Sequence, residues 1–264
     1  TVIYQHSDMH NEYKLKFPYL QAVFRAYTHY DAIASVSPAM CAENTAKLAV
    51  PYEIAPERFT WAIHPLEDTA ILRAKAQQPL DADIAAWLAR GAEGRPCFLS
   101  VGRLSPEKRP DKLLAAFTLY RQQGGTGRLV IAGDGPLRKQ VDEQVAASGY
   151  ASDIFLAGYR MHPYPLFRAA DCFVLSSDHE GQPITLLESL QLQLPAIATD
   201  LPSTRAVLGA GRGHLVDNSA SGLAQAMHDF AHAQRSAASV VLDTQAYQTQ
   251  AWQEFLSLLA SNPN

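Results

Sequence analysis

The sequence predicts an α/β fold built on a parallel sheet that is covered by helices on both faces. From Ala82 onward, short apolar runs alternate with helical patterns, an order typical of parallel sheets. Three of the apolar runs are followed by glycine, at Gly102, Gly133 and Gly158. Because the carboxyl ends of parallel strands meet at one edge of the sheet, these positions predict a ligand crevice at that edge.

The period of the apolar residues decides which segments are strands and which are helices. The predicted strands of this series are 97–101, 129–132, 154–157, 172–175, 196–199 and 214–216. The predicted helices are 82–90, 110–123, 136–148, 163–170, 184–193 and 244–259. A turn is predicted at 91–94, where two glycines stand close together.

The first part of the chain predicts a smaller and incomplete set of elements. Strands are expected at 2–6, 32–37 and 59–63, and helices at 11–30 and 38–48. Pro18 is expected to break or kink the first helix, and Pro38 suits the first turn of the second. The segment 64–68 is interpreted as a hinge. We therefore expect an incomplete amino-terminal domain, residues 1–63, and a carboxyl-terminal domain, residues 64–264.

The amino-terminal domain supplies too few strands for an independent sheet. The chain also opens directly on a strand, without an initiator methionine, so we expect a piece of a longer polypeptide. An open sheet edge invites pairing. We expect residues 1–63 to be paired with a missing amino-terminal segment or another copy of the chain, covered by the final helix, or partly disordered.

Net charge, cysteine content and the lengths of apolar runs limit the kinds of partner and the cellular compartment to be expected. A net charge of −4 argues against nucleic acid, which normally requires a clustered positive surface. Three cysteines at no metal-ligand spacing are interpreted as reduced core residues, and no signal peptide or membrane-spanning run is seen, so a cytoplasmic protein is expected. The basic aromatic helix 11–30 leaves two alternatives, a core face or peripheral contact with the inner face of a membrane.

The most informative stretch begins at Ser176, directly after a predicted strand. It places Glu180 in a loop and Glu188 about two turns into the next helix. The first backbone N–H groups of that helix, at Ile184 and Thr185, can bind an anion. Two carboxylates for hydroxyl groups and a cradle for phosphate suit a ligand that is both sugar and phosphate. The alternative is two acids on a solvated helix.

Other strand ends supply cations and an aromatic residue. Arg103 and Lys108 follow strand 97–101, where fixed positive charge can stabilise a departing diphosphate. The alternative is two solvated loop cations. Tyr159 and Arg160 follow strand 154–157 and are expected to line a nucleotide base. Gly133 begins the run Gly-Asp-Gly-Pro at a further strand end, and it is assigned to the same ligand.

Taken in order, these motifs resemble the retaining glycosyltransferases of family 4. The resemblance rests on Gly102-Arg103 with Lys108, on the Gly-Asp-Gly-Pro run, on Gly158 and on Glu180-x₇-Glu188. It extends through residues 60–264, and residues 1–63 resemble the end of that family's amino-terminal domain. It implies the glycosyltransferase B fold: a Rossmann-like parallel-sheet domain with a partial second Rossmann-like domain, onto which the final helix returns.

The resemblance also implies an activity and residue roles. A sugar would pass, with retention, from a nucleotide diphosphate sugar, UDP- or GDP-linked, to an envelope glycan or lipid-linked acceptor. Glu188 would accept hydrogen bonds from the ribose, and Glu180 from the donor sugar. His6, with neighbouring Asp8, would face the sugar near the reacting carbon, although a histidine at a strand end is commonly structural. The catalytic set is thus His6, Arg103, Lys108 and Glu180.

No covalent nucleophile is evident, and the resemblance implies that the departing phosphate takes the acceptor's proton. Since Arg and Lys can replace a cation and no metal cluster is seen, we expect metal independence and no cofactor. Two alternatives stay open: a non-catalytic sugar-nucleotide-binding module of a larger polymer-synthesising protein, and a phosphorylase or sugar-phosphate synthase of the same fold. An intact Glu188 favours nucleotide donors over inorganic phosphate.

The chain departs from the family pattern at three places. The family usually has glycine at the position of Arg109 and often at that of Gln193. A glycine-rich segment is replaced by Pro202-Ser203-Thr204-Arg205, which we interpret as a loop near the donor sugar or diphosphate. Asp200 and Ser203 are candidates for compensating that change.

Overall fold

The computed structural model describes residues 1–6, 19–90, 94–209, 211–232 and 242–260. The backbone contacts divide the chain into two compact units. The small unit comprises Thr1–Leu66, Glu180–Pro183 and Asp243–Asn264. The large unit comprises Glu67–His179 and Ile184–Leu242.

The described elements follow one another in the order that the sequence patterns predict, with three additional helices. The strands are β1 Val2–Gln5, β2 Ala32–Ser35, β3 Phe59–Trp61, β4 Cys97–Val101, β5 Arg128–Ala132, β6 Ile154–Gly158, β7 Cys172–Leu175, β8 Ala196–Thr199 and β9 His214–Val216. The helices are α1 Leu20–Ala26, α2 Pro38–Leu48, α3 Thr69–Ala76, α4 Ala82–Ala89, α5 Pro110–Gln122, α6 Arg138–Ala147, α7 Tyr164–Ala169, α8 Ile184–Gln191, α9 Pro202–Leu208, α10 Ala220–His232 and α11 Thr244–Ala260.

The small unit is organised around a parallel sheet of order β1-β2-β3. Its main core cluster includes the fully buried side chains of Phe24, Ile33 and Leu48. A second cluster joins Leu258 of α11 to Ala34 and Ala62, so the final helix packs on this sheet. Apolar burial of this kind stabilises a helix that has few charges of its own.

The first predicted helix is shorter than expected within the described residues. The structure has α1 followed by a 3₁₀ turn at Tyr27–His29. Residues 7–18, which include Pro18 and Asp8, lie outside the described residues, as does most of the turn predicted at 91–94. The second helix, α2, begins as its proline predicts, and the Ser37 hydroxyl accepts a hydrogen bond from the Met40 N–H at 3.2 Å.

The large unit confirms the predicted parallel α/β architecture. Its six strands are all parallel and stand in the order β6-β5-β4-β7-β8-β9. The central strands contribute fully buried residues such as Phe98, Leu129, Val174 and Ile197. Helices cover both faces, which is why the strands read as continuous apolar runs rather than alternating ones.

Three helices were not predicted from the sequence. α3 and α9 have only eight and seven residues, too few for a clear apolar period. The interpretation of Pro202–Arg205 as a loop is wrong, because these residues form the first turns of α9. In α10, Gly222 weakens the helical signal, yet Met227 and Phe230 bury against the sheet and stabilise the helix. None of the described helices is long and apolar enough to span a membrane.

All three cysteines are buried free thiols, in agreement with the prediction of reduced core residues. Burial, reinforced by the Asp171 carboxylate, raises the pKa of the Cys97 thiol to about 12. A thiol that stays protonated is a poor nucleophile. We therefore assign the cysteines to packing.

Two non-glycine residues adopt left-handed backbone conformations at positions where the resembled family has glycine. Arg109 has φ +52° and Gln193 has φ +61°. Gln193 ends α8: its N–H donates to the Leu190 carbonyl at 3.0 Å, and the Leu194 N–H donates to the Ser189 carbonyl at 2.8 Å. This is a Schellman motif, which glycine normally fills. Gln193 therefore adopts the left-handed backbone conformation that glycine normally has in this motif.

We predict that Gln193→Gly stabilises the large unit by about 0.5–1 kcal/mol, since it removes the left-handed strain of an exposed residue. Urea denaturation measures the free energy of unfolding. Gln193→Ala is the matched control, because it keeps the Cβ atom and with it the strain. A glycine variant that is no more stable than the alanine variant contradicts the prediction.

Candidate functional site

The order of the strands marks one edge of the large unit as the place for a ligand. From β4 the chain builds outward to β6, and from β7 it builds outward in the opposite direction to β9. β4 and β7 are therefore neighbours across the reversal, and ligands of open α/β sheets bind beyond the carboxyl ends of such strands. Arg103 and Lys108 follow β4, and the run from Ser176 follows β7.

The segments after β4 and β7 are joined by hydrogen bonds. The Asp178 N–H donates to the Glu107 carbonyl at 2.9 Å, and the Ser176 hydroxyl donates to the Lys108 carbonyl at 3.0 Å. A small cavity of about 20 Å³ lies there, lined among others by Arg103, Lys108 and Ser176. The Arg103 side chain is exposed and Lys108 is half-buried. The structure thus brings both predicted cations to one cavity.

A charged cluster that the sequence reading missed supports these segments. The Asp178 carboxylate is bound by Lys112 Nζ at 2.5 Å and by the Arg109 guanidinium, which also pairs with Asp111 at 3.0 Å. Burial works against ionisation of Asp178, but the hydrogen bonds from Lys112 and Arg109 prevail and hold its pKa below the usual value. The cluster fixes the segment after β7 to α5.

A signal for this cluster was present in the sequence. Lys112 stands on the same stripe of the predicted helix as Ala116 and Tyr120, and all three are buried in the structure. A lysine on the core face of a helix needs a counter-ion. The sequence did not show which carboxylate supplies it.

Gly133 is required by close packing of the backbone. It has φ +150°, and a Cβ atom there would overlap the Gly102 carbonyl oxygen. Its N–H donates to the Gly158 carbonyl at 2.8 Å, while the Gly102 N–H donates to the Ala132 carbonyl at 3.0 Å. The three predicted strand-end glycines therefore lie side by side, and the close approach of their backbones requires glycine at position 133.

Glu188 lies half-buried in α8, behind Ile184 and Thr185 at the start of that helix. The Tyr164 hydroxyl donates to Glu188 Oε1 at 3.2 Å. Burial raises the pKa of Glu188 to about 6, with a further increase from Glu67, against the opposing effects of Tyr164 and of Lys75. The surroundings of Glu188 thus make it a weaker acid than an ordinary glutamate. Its position is one to two turns beyond the start of the helix.

Tyr159 and Arg160 differ in their surroundings. The Tyr159 ring is 69% exposed just beyond β6. The Arg160 guanidinium is paired with Asp81 at 2.9 Å and with Asp83 at 3.1 Å, near the start of α4. An exposed ring can stack on a flat ligand, whereas the charge of Arg160 is compensated by two carboxylates.

His6 and Glu180 both belong to the small unit. His6 is exposed at the end of β1, and Glu180 is half-buried. A Cβ atom on Gly181 would lie 2.6 Å from the His6 carbonyl oxygen, so glycine allows this segment to pack against the His6 backbone. The two predicted sugar-facing residues are therefore brought near one another. His6 Nδ1 lies 2.9 Å from His64 Nε2, a partner that the sequence reading missed.

The two residues proposed to compensate for the departure at Pro202 differ in their surroundings. Asp200 is paired with Arg205 at 2.8 Å, whereas the Ser203 hydroxyl is buried in α9 without a hydrogen-bond partner among the described residues. Among the described residues, no three His, Cys, Asp or Glu side chains stand close enough together to hold a metal ion.

The family of the chain is decided by a match over most of the large unit. The model of the family described as "Glycosyl transferases group 1" matches residues 89–247. The chain belongs to this family. The group 1 domain thus contains the strand reversal, the cavity beside Arg103 and Lys108, and Glu188.

Several known proteins are similar to this chain. An uncharacterized glycosyltransferase of Methanocaldococcus jannaschii is 33% identical over 39% of this chain and 25% of its own length. A GDP-mannose-dependent mannosyltransferase of Mycobacterium tuberculosis is 30% identical over 48% of this chain and 33% of its own length. The matched segments therefore span only a quarter to a third of these curated relatives.

A solved structure extends the likeness in fold to both units. The crystal structure of Anabaena HepE in complex with UDP and glucose covers 99% of this chain and 71% of its own, with a TM-score of 0.77 and 17% identity. At that identity the likeness concerns the fold. It supports the predicted glycosyltransferase B architecture for this chain.

We predict that the raised pKa of Glu188 makes stability depend on pH. The folded protein favours the protonated carboxyl, so the native state binds more protons between the usual value of 4.5 and about 6. The free energy of unfolding therefore falls by about 2 kcal/mol as pH rises through this window, and the loss is complete above it.

Glu188→Gln removes this titration. Urea denaturation of both proteins between about pH 4 and pH 8 measures the difference in unfolding free energy. We expect the free energy of unfolding of the glutamine variant to increase relative to that of the unmodified protein as pH rises. Two parallel pH profiles contradict the assignment.

Proposed function

We propose that the chain is part of a retaining, metal-independent glycosyltransferase that moves a sugar from a UDP- or GDP-linked donor to an envelope glycan or lipid-linked acceptor. The observation that carries this proposal is the arrangement of Arg103, Lys108 and Glu188 around the strand reversal of the group 1 domain. In this assignment residues 64–264 bind the donor, and residues 1–63 belong to the acceptor-side domain.

The diphosphate is bound by cations and backbone N–H groups. Arg103 and Lys108 line one cavity at the end of β4. Arg109 and Lys112 are committed to Asp178, so their charge serves to hold the segments in place. The N–H groups of Ile184 and Thr185 add the partial positive charge of a helix start. Fixed donors of this kind stabilise the charge that develops on the leaving diphosphate.

The nucleoside is recognised by Glu188 and Tyr159. A half-buried carboxylate that already accepts from Tyr164 is oriented to accept from the ribose hydroxyls as well. The exposed Tyr159 ring stacks on the base, and Arg160 orders the same loop through Asp81 and Asp83. Gly133 is assigned to the same ligand, and it lets the segment after β5 pack against the Gly102 backbone at this edge of the sheet.

The donor sugar is oriented by Glu180 and His6. Glu180 accepts hydrogen bonds from sugar hydroxyls, and His6 contacts the sugar near the reacting carbon. The acceptor hydroxyl attacks from the face that the diphosphate leaves. Its proton passes to the departing phosphate oxygen, so the C–O bond to phosphate breaks as the new glycosidic bond forms and the anomeric configuration is retained.

We predict that Lys108→Ala weakens binding of the nucleotide diphosphate by at least tenfold, the loss expected of a charge-assisted contact of about 1.5–3 kcal/mol. Binding of the nucleoside should stay within about twofold, since it makes no contact with the lysine. Calorimetry with UDP, GDP and the nucleosides measures both losses. Lys139→Ala, an exposed lysine of α6, is the matched control. Equal losses for nucleotide and nucleoside contradict the phosphate role.

The transfer reaction gives the direct test of the proposed function. We predict a higher midpoint of thermal unfolding with UDP or GDP and their sugars, because a ligand of the native state stabilises it. We predict turnover well below about 1 per second, since the chain covers 71% of the related HepE chain. Prolonged incubation with nucleotide sugar and lipid-linked or sugar acceptors should yield a product with the donor's anomeric configuration.

Three outcomes would count against the proposal. An inverted product contradicts retention, and absence of any nucleotide binding contradicts the donor site. Binding without product after exhaustive incubation favours the non-catalytic module. Transfer at about 1 per second or faster would contradict only the predicted low turnover.

A further inference from the structure

In the small unit, the His6 ring lies against the ring of His64. His6 Nδ1 and His64 Nε2 are 2.9 Å apart, and the two rings are inclined by only 15° with their centroids 4.9 Å apart. Tyr4 packs edge-on against both rings, at centroid distances of 5.1 Å and 5.3 Å. Its hydroxyl donates to the Ala62 carbonyl, two residues before His64. The Tyr4 ring therefore holds the two histidine rings in place.

His64 is itself held by the segment that carries Glu180. The His64 N–H donates to Gln182 Oε1 at 2.8 Å, and Gln182 Nε2 donates to the His64 carbonyl at 3.4 Å. The Tyr247 hydroxyl of α11 is bonded to the same Gln182 amide. One glutamine side chain thus satisfies both backbone groups of His64. These hydrogen bonds fix the backbone from which the His64 ring projects.

A hydrogen bond between two imidazole nitrogens requires one proton between them. In a neutral pair, one nitrogen must donate and the other accept, and this choice decides which nitrogen of each ring carries a proton. Burial, which disfavours the charged imidazolium, lowers the pKa of His64 and so favours its neutral form. With its proton on Nε2, the usual position for neutral imidazole, His64 donates to His6 Nδ1.

We infer that His64 is a positioning residue that fixes the tautomer and ring orientation of His6, so that His6 directs an Nε2–H donor toward the donor sugar. The inference rests on the proposed contact of His6 with that sugar. With its Nδ1 accepting from His64, neutral His6 can bind a sugar oxygen only as a donor. His64 acts through His6 and makes no contact with substrate itself.

The hydrogen bond can be observed in the unmodified protein. Nuclear magnetic resonance of isotope-labelled protein distinguishes protonated from unprotonated ring nitrogens. His6→Gln assigns the His6 signals among the nine histidines of the chain. We expect an unprotonated Nδ1 and a protonated Nε2 on His6, and a nitrogen–nitrogen coupling between His6 Nδ1 and His64 Nε2. The opposite tautomer, or absence of the coupling, overturns the inference.

Variants separate positioning from folding. His64→Phe keeps an aromatic ring against Tyr4 but removes the nitrogen, so the His6 signals should shift toward a mixture of tautomers. His64→Gln places an amide near the former Nε2 and should restore the single tautomer. His29→Phe, at an exposed histidine of the same unit, is the control and should change neither. Unchanged His6 signals in His64→Phe overturn the inference.

Ligand affinity supplies a second readout. His64→Phe should lower the affinity for the nucleotide sugar about three- to tenfold, the effect of one hydrogen bond, and leave that for the nucleotide diphosphate unchanged. His64→Gln should recover most of the loss. Equal losses for both ligands indicate a merely structural role and overturn the inference.

The two readouts also separate this inference from the proposed function. If the unmodified protein binds no nucleotide sugar, the proposed function fails, while the His6 tautomer still reports on His64. If nucleotide sugar binds and the tautomer is not set by His64, only the inference fails.

Discussion

The candidate site depends on the hydrogen bonds that join the segments after β4 and β7. The Asp178 N–H and the Ser176 hydroxyl both donate to backbone carbonyls of the 107–109 segment. These segments follow adjacent strands at the reversal of strand order. Without the bonds, Lys108 would stand on a loop with no fixed relation to the helix start at Ile184.

Electrostatics reinforce this arrangement at a conformational cost. Arg109 takes up a left-handed backbone, which is unfavourable for a side chain with a Cβ atom. Its guanidinium pairs with Asp111 and Asp178, and Lys112 adds a second cation to Asp178. The strain is thus offset by ion pairs that hold the segment carrying Lys108, and strained residues commonly lie at functional sites. A glycine at position 109 would relieve the strain and lose the pairs with Asp111 and Asp178, and would leave only Lys112 on Asp178.

The sequence by itself determined the fold class and the segments from which the candidate site is proposed. Apolar runs alternating with helical patterns require a parallel sheet, because strands buried on both faces leave no polar side. Glycine and charge after strands, as at Gly102 and Glu180, then predict where a ligand is to be expected. These features depend on local spacing, which a single sequence displays.

Tertiary structure alone decided which side chains meet. The pairing of β4 with β7 spans about seventy residues, and the contacts of Asp178 with Lys112 and of Glu188 with Tyr164 depend on it. The same holds for His6 and His64, which follow β1 and β3, the two outer strands of the three-stranded sheet, and come from distant parts of the chain. Periodicity reports that a residue is buried or exposed. It does not report the partner, because partners are set by sheet order and register, which arise from packing of the whole unit.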